Sequence, residues 1–306
     1  MIFTEIVKSG KHAFKITRNI MMRDETIVSH TYKIGGEYAD CITIAYVYKN
    51  NKPVQAKIPH LLYGVVPTPL MASMLPLSTP SGVLNFGTCL TEPECSLGAF
   101  LEKGSGTEHI IKTSIRYAHN DVPSVTKFLF DDDSHIDCVE KDMGKAPPRK
   151  PTRPLNLAFF YIAYHGKTWY EARFNAKMVD DNKYRKYKES LGFLTDPARK
   201  VTFMQFLEII GISLESESQV KSLETYYKKG TTYRDFFEAV EKKNRCAVLY
   251  GWLNTFMEHY IGATFSDKGW FIDVETMDQG ESQQGGGTTS RIMKYRIFSH
   301  KKMSNF

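Results

Sequence analysis

A glycine turn, Gly104-Ser105-Gly106-Thr107, is the first stretch whose residue types suit binding chemistry. Ser105 and Glu108 have the Ser-x-x-Glu spacing of a capping box, which predicts that a helix begins here. Such a turn leaves backbone N–H groups unpaired at the positive end of a helix, where a phosphate or another anion can bind. The alternative is a plain strand-to-helix turn in which the glycines only let the chain bend. The spacing alone leaves both interpretations open.

A run of carboxylates, Asp131-Asp132-Asp133, precedes Ser134 and His135. Adjacent carboxylates can hold Mg²⁺ or Ca²⁺, although this spacing is not that of an EF-hand loop. His135 has the chemistry of a general base or a metal ligand. The alternative is a polar loop in which one aspartate caps a turn. A nuclease built on these aspartates would need a further carboxylate or histidine from elsewhere in the chain.

The elements around these residues follow from their patterns. Residues 1–66 are rich in β-strand patterns, with a strand from His12 to Ile20 and a hairpin that turns at Asn50-Asn51. An apolar run, residues 97–101, predicts a strand before the glycine turn. Apolar residues at i, i+4 and i+7 predict the helix after it, and alternation from Val125 to Phe130 predicts the next strand.

The later part of the chain is predicted to be mainly helical. Residues 155–178 predict one buried helix, whose stripe includes Gly166 and Tyr170, followed by a short strand at 175–179. Helical spacing recurs at 184–193, 202–212, 220–228 and 233–260, and their apolar residues should form a second core. A strand is expected at 269–274, a low-complexity stretch at 278–290, and an edge strand at 292–298.

Composition and charge limit the class of protein. The 306 residues are 42% hydrophobic and 24% charged, as in soluble globular proteins. No apolar run reaches the roughly 18 residues of a membrane helix, and the N-terminus lacks a signal-peptide core. These features predict a protein of the cytoplasm that does not contact membranes.

Two basic segments are candidate contacts for phosphates, nucleic acid or an acidic protein face. One contains Lys145, Arg149, Lys150 and Arg153, and the other is the last sixteen residues, with five basic side chains and no acid. A solvated linker and tail are the favoured alternative.

The five cysteines have no paired C-x-x-C spacing. They are therefore predicted to be buried free thiols rather than a zinc site or a disulfide framework. A Cys89–Cys95 pair is the less favoured alternative in a reducing compartment.

Residues 90–180 resemble the GNAT acetyltransferase superfamily in the order strand, Gly-x-Gly turn, helix, strand, helix with tyrosine, short strand. The matching stretches are LEKGSGT, residues 101–107, and KTWYEARFNA, residues 167–176, which is similar to the family's Tyr-Glu-x-x-Gly-Phe segment. The resemblance implies an α+β fold with a mixed, mostly antiparallel sheet, a β-α-β-α-β core and a helical C-terminal region. It implies domains at 1–179 and 180–277, with a linker and basic tail at 278–306.

The same resemblance implies acetyl-coenzyme A or another acyl-coenzyme A as cofactor, and direct attack of a substrate amine on the thioester. Tyr170 is then the candidate acid that protonates sulfur, and Asp131, Asp132 or His135 the candidate base. The implied cofactor-binding residues are Leu101, Lys103, Gly104, Ser105, Gly106 and Thr107.

The alternative hypothesis is a structural or interaction protein that keeps this fold and has lost the site. Leu101 stands where the family usually has Gln or Arg, and Phe-Asn-Ala replaces Gly-Phe after the tyrosine helix. The phrases FDDDSHIDC and YHGKTWYEARFNA also resemble proteins of large DNA viruses of eukaryotes, which implies residence in the host cytoplasm or the virion.

Overall fold

A computed structural model describes residues 1–54, 80–86, 95–97, 101, 105–132, 134–136, 154–212, 217–280 and 293–295. These residues form a mixed α+β structure with a mostly antiparallel, multi-stranded sheet and several helices, which confirms the predicted fold class at that level. Unit 1 comprises Met1–Asp131, Arg173–Ala176 and Phe271–Phe306. Unit 2 comprises Asp132–Ala172 and Lys177–Trp270. The boundaries between the two units therefore differ from the domain boundary after residue 179 that is predicted from the sequence.

The element bounds are as follows. The strands are β1 (Ile2–Ser9), β2 (His12–Arg23), β3 (Thr26–Gly35), β4 (Asp40–Lys49), β5 (Lys52–Val54), β6 (Ser81–Phe86), β7 (Lys127–Phe130), β8 (His135–Ile136), β9 (Leu155–Asn156), β10 (Lys177–Met178), β11 (Trp270–Asp273) and β12 (Met293–Tyr295). The α-helices are α1 (Ser105–Asp121), α2 (Leu157–His165), α3 (Trp169–Phe174), α4 (Asp181–Ser190), α5 (Phe203–Ile210), α6 (Glu217–Tyr227), α7 (Tyr233–Ala239), α8 (Arg245–Leu249) and α9 (Leu253–Ile261).

The sheet of unit 1 has the strand order β11-β7-β6-β4-β3-β2-β1-β12, and β5 also pairs with β4. Strands β1 to β4 form an antiparallel meander, and β6 joins β4 antiparallel. In contrast, β6 and β7 are parallel, because α1 returns the chain to the same end of the sheet. The tail strand β12 pairs antiparallel with β1, which confirms the predicted edge strand.

Turn chemistry explains why the meander closes so tightly. Asn50 and Asn51 join β4 to β5 with φ of 52° and 59°, which confirms the predicted hairpin. Asp24 and Glu25 join β2 to β3 with φ of 47° and 63°. Two successive residues in the left-handed region give the turn whose twist matches that of the strands it connects.

Helix α1 buries the predicted face on unit 1. Ile111, Ile115 and Ala118 have no exposed surface, as the i, i+4, i+7 spacing predicts. Two polar contacts tie the helix to the end of β1, because Nε2 of His109 lies 2.7 Å from the carbonyl of Ser9 and Thr113 donates to the Ser9 hydroxyl.

The prediction of free thiols is wrong for three cysteines. Cys41 and Cys95 form a disulfide with their Cα atoms 5.7 Å apart, and Cys246 is disulfide-bonded as well. The pair is not the Cys89–Cys95 alternative. Cys41, on β4, and Cys95 are separated by 54 positions. The chain just after Cys95 bonds to β2, where the N–H of Leu97 donates to the carbonyl of Ala13, so tertiary structure rather than local spacing brings the two cysteines together.

Unit 2 contains the second core that helical spacing predicts. The ring of Phe206 lies 5.5 Å from Phe236, 5.4 Å from Trp252 and 5.7 Å from Phe256, and all four side chains are buried. Aromatic rings at these separations add attraction to the burial of their apolar area. The short strands β8 and β9 pair antiparallel in the same unit.

Two predicted long helices are each interrupted. Residues 155–178 contain α2 and α3 rather than one helix, because Gly166 ends α2 in the left-handed region with φ 69°. Residues 233–260 contain α7, α8 and α9, with Gly251 at φ 88° between the last two. Glycine adopts this conformation without the steric cost of a Cβ atom, so it ends helices that the apolar pattern alone would continue.

Several predicted residues lie outside the described ones. They are Lys103, Gly104, Asp133, Cys89, the basic residues Lys145, Arg149, Lys150 and Arg153, and most of the tail. Among the helices that the structure describes, none combines the length and apolar character needed to cross a membrane.

Candidate functional site

The predicted site residues fall in both units. Leu101, Ser105, Gly106 and Thr107 belong to unit 1, whereas Asp132, His135 and Tyr170 belong to unit 2. Each group is therefore described within its own unit.

The start of α1 is packed more tightly than a bare anion site requires. A Cβ atom at Gly106 would lie 2.7 to 2.9 Å from the backbone and Cβ of Leu101, and both residues are buried. Gly106 is thus needed for close packing of the helix on the preceding chain. Leu101 contributes to this packing as a buried apolar side chain. Thr107 remains half-buried, and Glu108 forms an ion pair with Lys112 at 2.8 Å.

Strands β6 and β7 pair only over their first residues. Their ladder has three pairs, from Ser81↔Lys127 to Val83↔Leu129. Beyond it, β6 continues to Phe86 while remaining paired with β4, and β7 ends at Phe130. The rings of Phe86 and Phe130 meet edge to face with centroids 5.7 Å apart. The ladder thus takes in all of β7 except Phe130, and the rings of Phe86 and Phe130 beyond it remain in contact.

A polar network of unit 1 joins the end of α1 to the sheet. The carboxylate of Asp121 accepts hydrogen bonds of 2.5 Å from the Tyr32 hydroxyl and from the Arg18 guanidinium. Nδ1 of His30 lies 3.2 Å from the hydroxyl of Tyr48. Burial alone would raise the pKa of Asp121, but the bonds from Tyr32 and Arg18 outweigh it and lower that pKa. Burial lowers the pKa of His30.

Unit 2 has a cleft of about 280 Å³ that contains two of the predicted residues. Asp132 and His135 lie on the loop and short strand that follow residue 131, and Asp267 comes from the loop before β11. The full lining is Asp132, Ser134, His135, Pro154, Asn156, Phe159, Asn254, Glu258 and Asp267.

Two asparagines build the wall of this cleft. Asn254 on α9 accepts from the backbone N–H of Asn156 at 3.0 Å and donates to the carbonyl of Pro154 at 2.9 Å. Asn156 in turn accepts from the N–H of Phe159 at 3.1 Å and so caps the N-terminus of α2. These bonds hold β9 and the start of α2 against α9.

Asp132 is itself held in a turn. It is 3% exposed, and its carboxylate accepts from the N–H of Ser134 at 3.2 Å and from the Ser134 hydroxyl. This agrees with the alternative in which one aspartate caps a turn. Its backbone N–H donates to the carbonyl of Asp267 at 2.6 Å, which fixes the two acidic residues beside each other.

Tyr170 lies inside unit 2 and is 4% exposed. Burial, and then the negative charge of Asp132, raise the pKa of Tyr170 well above the usual value for tyrosine. The side chain therefore keeps its proton. Its role as a general acid stays a prediction, and its burial counts against direct contact with a ligand in this conformation.

The cleft has the chemistry of a cation site. Three carboxylates and one imidazole line it, and none of the lining residues that the structure describes is a lysine or an arginine. Such a surface attracts ammonium groups and other cations. Within the described ranges, no group of three or more His, Cys, Asp or Glu side chains is arranged to hold a metal ion. The nuclease hypothesis, which needs such a group, gains no support from them.

No protein-family model, curated protein or solved structure matches this chain. Its function is therefore argued from the α1 crossover of unit 1 and the acidic cleft of unit 2.

Sequence reasoning identified Asp132 and His135 but not the opposite wall of the cleft. Asn254 and Glu258 lie four positions apart on α9, so they share one helix face. The other face of this helix carries the buried residues Leu253, Phe256 and Met257. The spacing of the two polar residues opposite that face is the sequence signal that could have identified this wall of the cleft. Asp267 had no local signal, because only the tertiary fold brings its loop to residue 132.

Proposed function

We propose that the chain is an acyl-coenzyme A-dependent N-acyltransferase-like protein with its cofactor site at the start of α1. The observation that carries this proposal is the crossover of β6, α1 and β7, in which two parallel strands joined through a helix pair over three residues. The resemblance implies a strand that splays from its neighbour at this point, and parallel strands open a crevice beyond their carboxyl ends.

The helix itself supports an anionic cofactor. Helix α1 is 17 residues long and begins at Ser105, next to the predicted glycine turn. The first turn of any α-helix has N–H groups without a partner inside the helix and carries the positive end of the helix dipole, which favour a pyrophosphate. The end of α3 also supports the resemblance, because Asn175 adopts φ 52°, a conformation typical of glycine, one position after the family's glycine.

The acidic cleft of unit 2 supports an amine-bearing acceptor. A primary amine must lose a proton before it attacks a thioester carbonyl, and His135 is an exposed base in the cleft. In the transfer a C–N bond forms, the C–S bond breaks, the amine proton passes to the base, and the sulfur takes up a proton. The bound thioester would supply the activated acyl group.

A binding experiment with one repulsive variant tests the cofactor site. Ser105→Glu places a negative charge where the pyrophosphate would bind, yet acidic residues stabilise the first turn of a helix. The matched control is Ser124→Glu, which adds the same charge at an exposed position of unit 1. Coenzyme A at about a hundred times its Kd should stabilise the wild type and the control by roughly 2.7 kcal/mol, and Ser105→Glu much less.

The outcome is measured by thermal unfolding and by isothermal titration calorimetry. No stabilisation of the wild type at millimolar coenzyme A, or equal stabilisation of Ser105→Glu, would remove the proposed site.

A second candidate function is an interaction protein that keeps this fold without catalysis. The burial of Tyr170 and the contact of Phe86 with Phe130 favour it, because both place side chains where the mechanism needs access. The two candidates differ in turnover. Acyltransferase activity releases the free thiol of coenzyme A when acyl-coenzyme A and a polyamine or lysine peptide are supplied. Absence of thiol release together with DNA binding that weakens steeply as salt rises would favour the second candidate.

A further inference from the structure

Two arginines of unit 2 converge on one tyrosine at the end of α2. The guanidinium of Arg245 lies over the ring of Tyr164, with its central carbon 3.7 Å from the ring centroid. Arg234 donates from Nη1 to the carbonyl oxygen of the same tyrosine. Its Nη2 would lie 2.8 Å from a Cβ atom at residue 166, so any larger residue there would displace the end of the Arg234 side chain.

Neither positive charge has a described carboxylate as a hydrogen-bonded partner. Arg234 and Arg245 bond to the backbone carbonyls of Tyr164 and Val240, and each side chain is half-buried. Burial lowers the pKa of Arg234, and the charge of Glu238 offsets this only in part. A guanidinium that is partly removed from water without a counter-ion is costly, and a bound anion would relieve that cost.

Two donors in this cluster lack any partner in the structure. They are Nε of Arg234 and the hydroxyl of Tyr164, both of which are buried. Tyr164 is 6% exposed. Most buried polar groups in proteins are hydrogen-bonded. The Nε–H of Arg234 and the hydroxyl of Tyr164 have no acceptor among the described residues, so a bound ligand with acceptor oxygens would satisfy both. An arginine Nε–H can only donate, so the missing ligand must offer acceptor oxygens.

We propose that Tyr164, Arg234 and Arg245 form a binding site for a phosphate group, either free or as a small phosphate monoester. The donors come from α2, α7 and α8, so they approach from separate elements. A tetrahedral phosphate presents oxygens in several directions, whereas a carboxylate presents two in one plane. Lys242, in the turn before Arg245, adds a positive charge, whereas Lys243 is paired with Glu241 at 3.1 Å. Binding includes a side-chain movement that opens the two orphaned donors to the ligand.

The decisive variant is Tyr164→Phe, because it removes one donor and keeps the ring. Its hydroxyl has no partner in the free protein, so the melting temperature should stay the same or rise. Phosphate binding should weaken about tenfold or more, as expected when a hydrogen bond to a charged group is lost. Arg245→Met should weaken binding at least as much.

Inorganic phosphate is titrated into the full chain at constant ionic strength and followed by calorimetry and ³¹P line broadening. The matched control is Arg185→Met, which removes the same charge from an exposed position on α4 of unit 2. It should bind phosphate within twofold of the wild type. Glycerol phosphate is the second probe, and it separates a site for monoesters from one that admits only the free ion.

Three results would overturn the proposal. The first is the absence of saturable phosphate binding by the wild type. The second is equal weakening in Arg185→Met, which would show only general charge attraction. The third is equal binding of acetate, which would show a carboxylate site instead. A fall in melting temperature of Tyr164→Phe would also count against it, because the hydroxyl would then have a partner.

Discussion

Replacing Glu171 by glutamine is expected to destabilise unit 2 far more than the same change at the exposed Glu189. Glu171 stands in the Tyr-Glu pair that carries the family resemblance, and the structure shows what its carboxylate does. Oε2 accepts from the N–H of Thr168 at 2.7 Å and from the Tyr187 hydroxyl at 2.8 Å. Oε1 accepts from the Tyr184 hydroxyl at 3.0 Å and lies 3.1 Å from Nζ of Lys188.

The expected loss in the free energy of unfolding follows from the hydrogen bonds that a glutamine side chain cannot accept. Its amide keeps one acceptor oxygen and turns two donor hydrogens toward groups that are themselves donors. The Glu171 side chain is 5% exposed, so water does not replace the lost bonds. Two lost bonds to a charged acceptor cost about 1.5 to 3 kcal/mol each. The pair with Lys188, which is 41% exposed, adds less than about 1 kcal/mol.

The expected loss is therefore about 3 to 6 kcal/mol, or on the order of 10 °C in melting temperature. Tryptophan fluorescence is the suitable assay. The three tryptophans of the chain are Trp169, Trp252 and Trp270, and all of them lie buried in unit 2. Urea unfolding followed by the red shift of their emission reports on the burial of these three side chains, of which Trp270 is also the first residue of β11.

Two controls separate the network from general charge effects. Glu189→Gln makes the same chemical change at an exposed side chain on α4 of the same unit, and should change the free energy of unfolding by less than about 0.5 kcal/mol. Tyr187→Phe removes one of the donors and should cost about half as much as Glu171→Gln. The reasoning is refuted if Glu171→Gln and Glu189→Gln unfold at the same urea concentration.

Two further predictions concern unit 1. Cys41→Ser should destabilise the unit by about 4 kcal/mol through the entropy of a 54-residue loop, measured by urea unfolding under oxidising conditions. In a reducing agent, which also opens the disulfide of Cys246, the wild type and the variant should unfold at the same urea concentration, and a persisting difference would contradict the linkage. Stability should also fall with acid below about pH 4, because the pKa of Asp121 is lower in the folded chain, where Tyr32 and Arg18 donate to it, than in the unfolded chain. Circular dichroism during unfolding at pH 3 to 7 should show a shallower acid loss for Asp121→Asn, and parallel pH profiles would contradict this cause.

Local patterns predicted the elements whose signals are complete within a few residues. The turn at Asn50 and Asn51, the buried stripe of α1 and the strand at His12 each follow from spacing and turn chemistry alone. Local patterns did not predict that α2 ends at Gly166. An isolated glycine in an apolar stripe is compatible both with a close contact inside one helix and with the end of a helix. The approach of Arg234 to Gly166 accompanies the helix end, and no local pattern contains that contact.

Long-range pairings could not be predicted from spacing. Cys95 has Cys89 six positions away, yet the sheet brings Cys41 to it instead. The same limit applies to the acidic cleft, where Asp132 and His135 were found as a local cluster and Glu258 and Asp267 were not. A side chain's chemistry can be read from sequence, but the partner that gives it a role is set by tertiary packing.

The interleaved layout of unit 1 has a consequence for the order of events on the ribosome. Strands β11 and β12 flank β7 and β1, yet they are synthesised after nearly all of unit 2. A nascent chain therefore exposes both edges of the unfinished sheet until β11 and β12 have been synthesised. Unpaired strand edges recruit other chains, so slow translation of these two strands should increase aggregation.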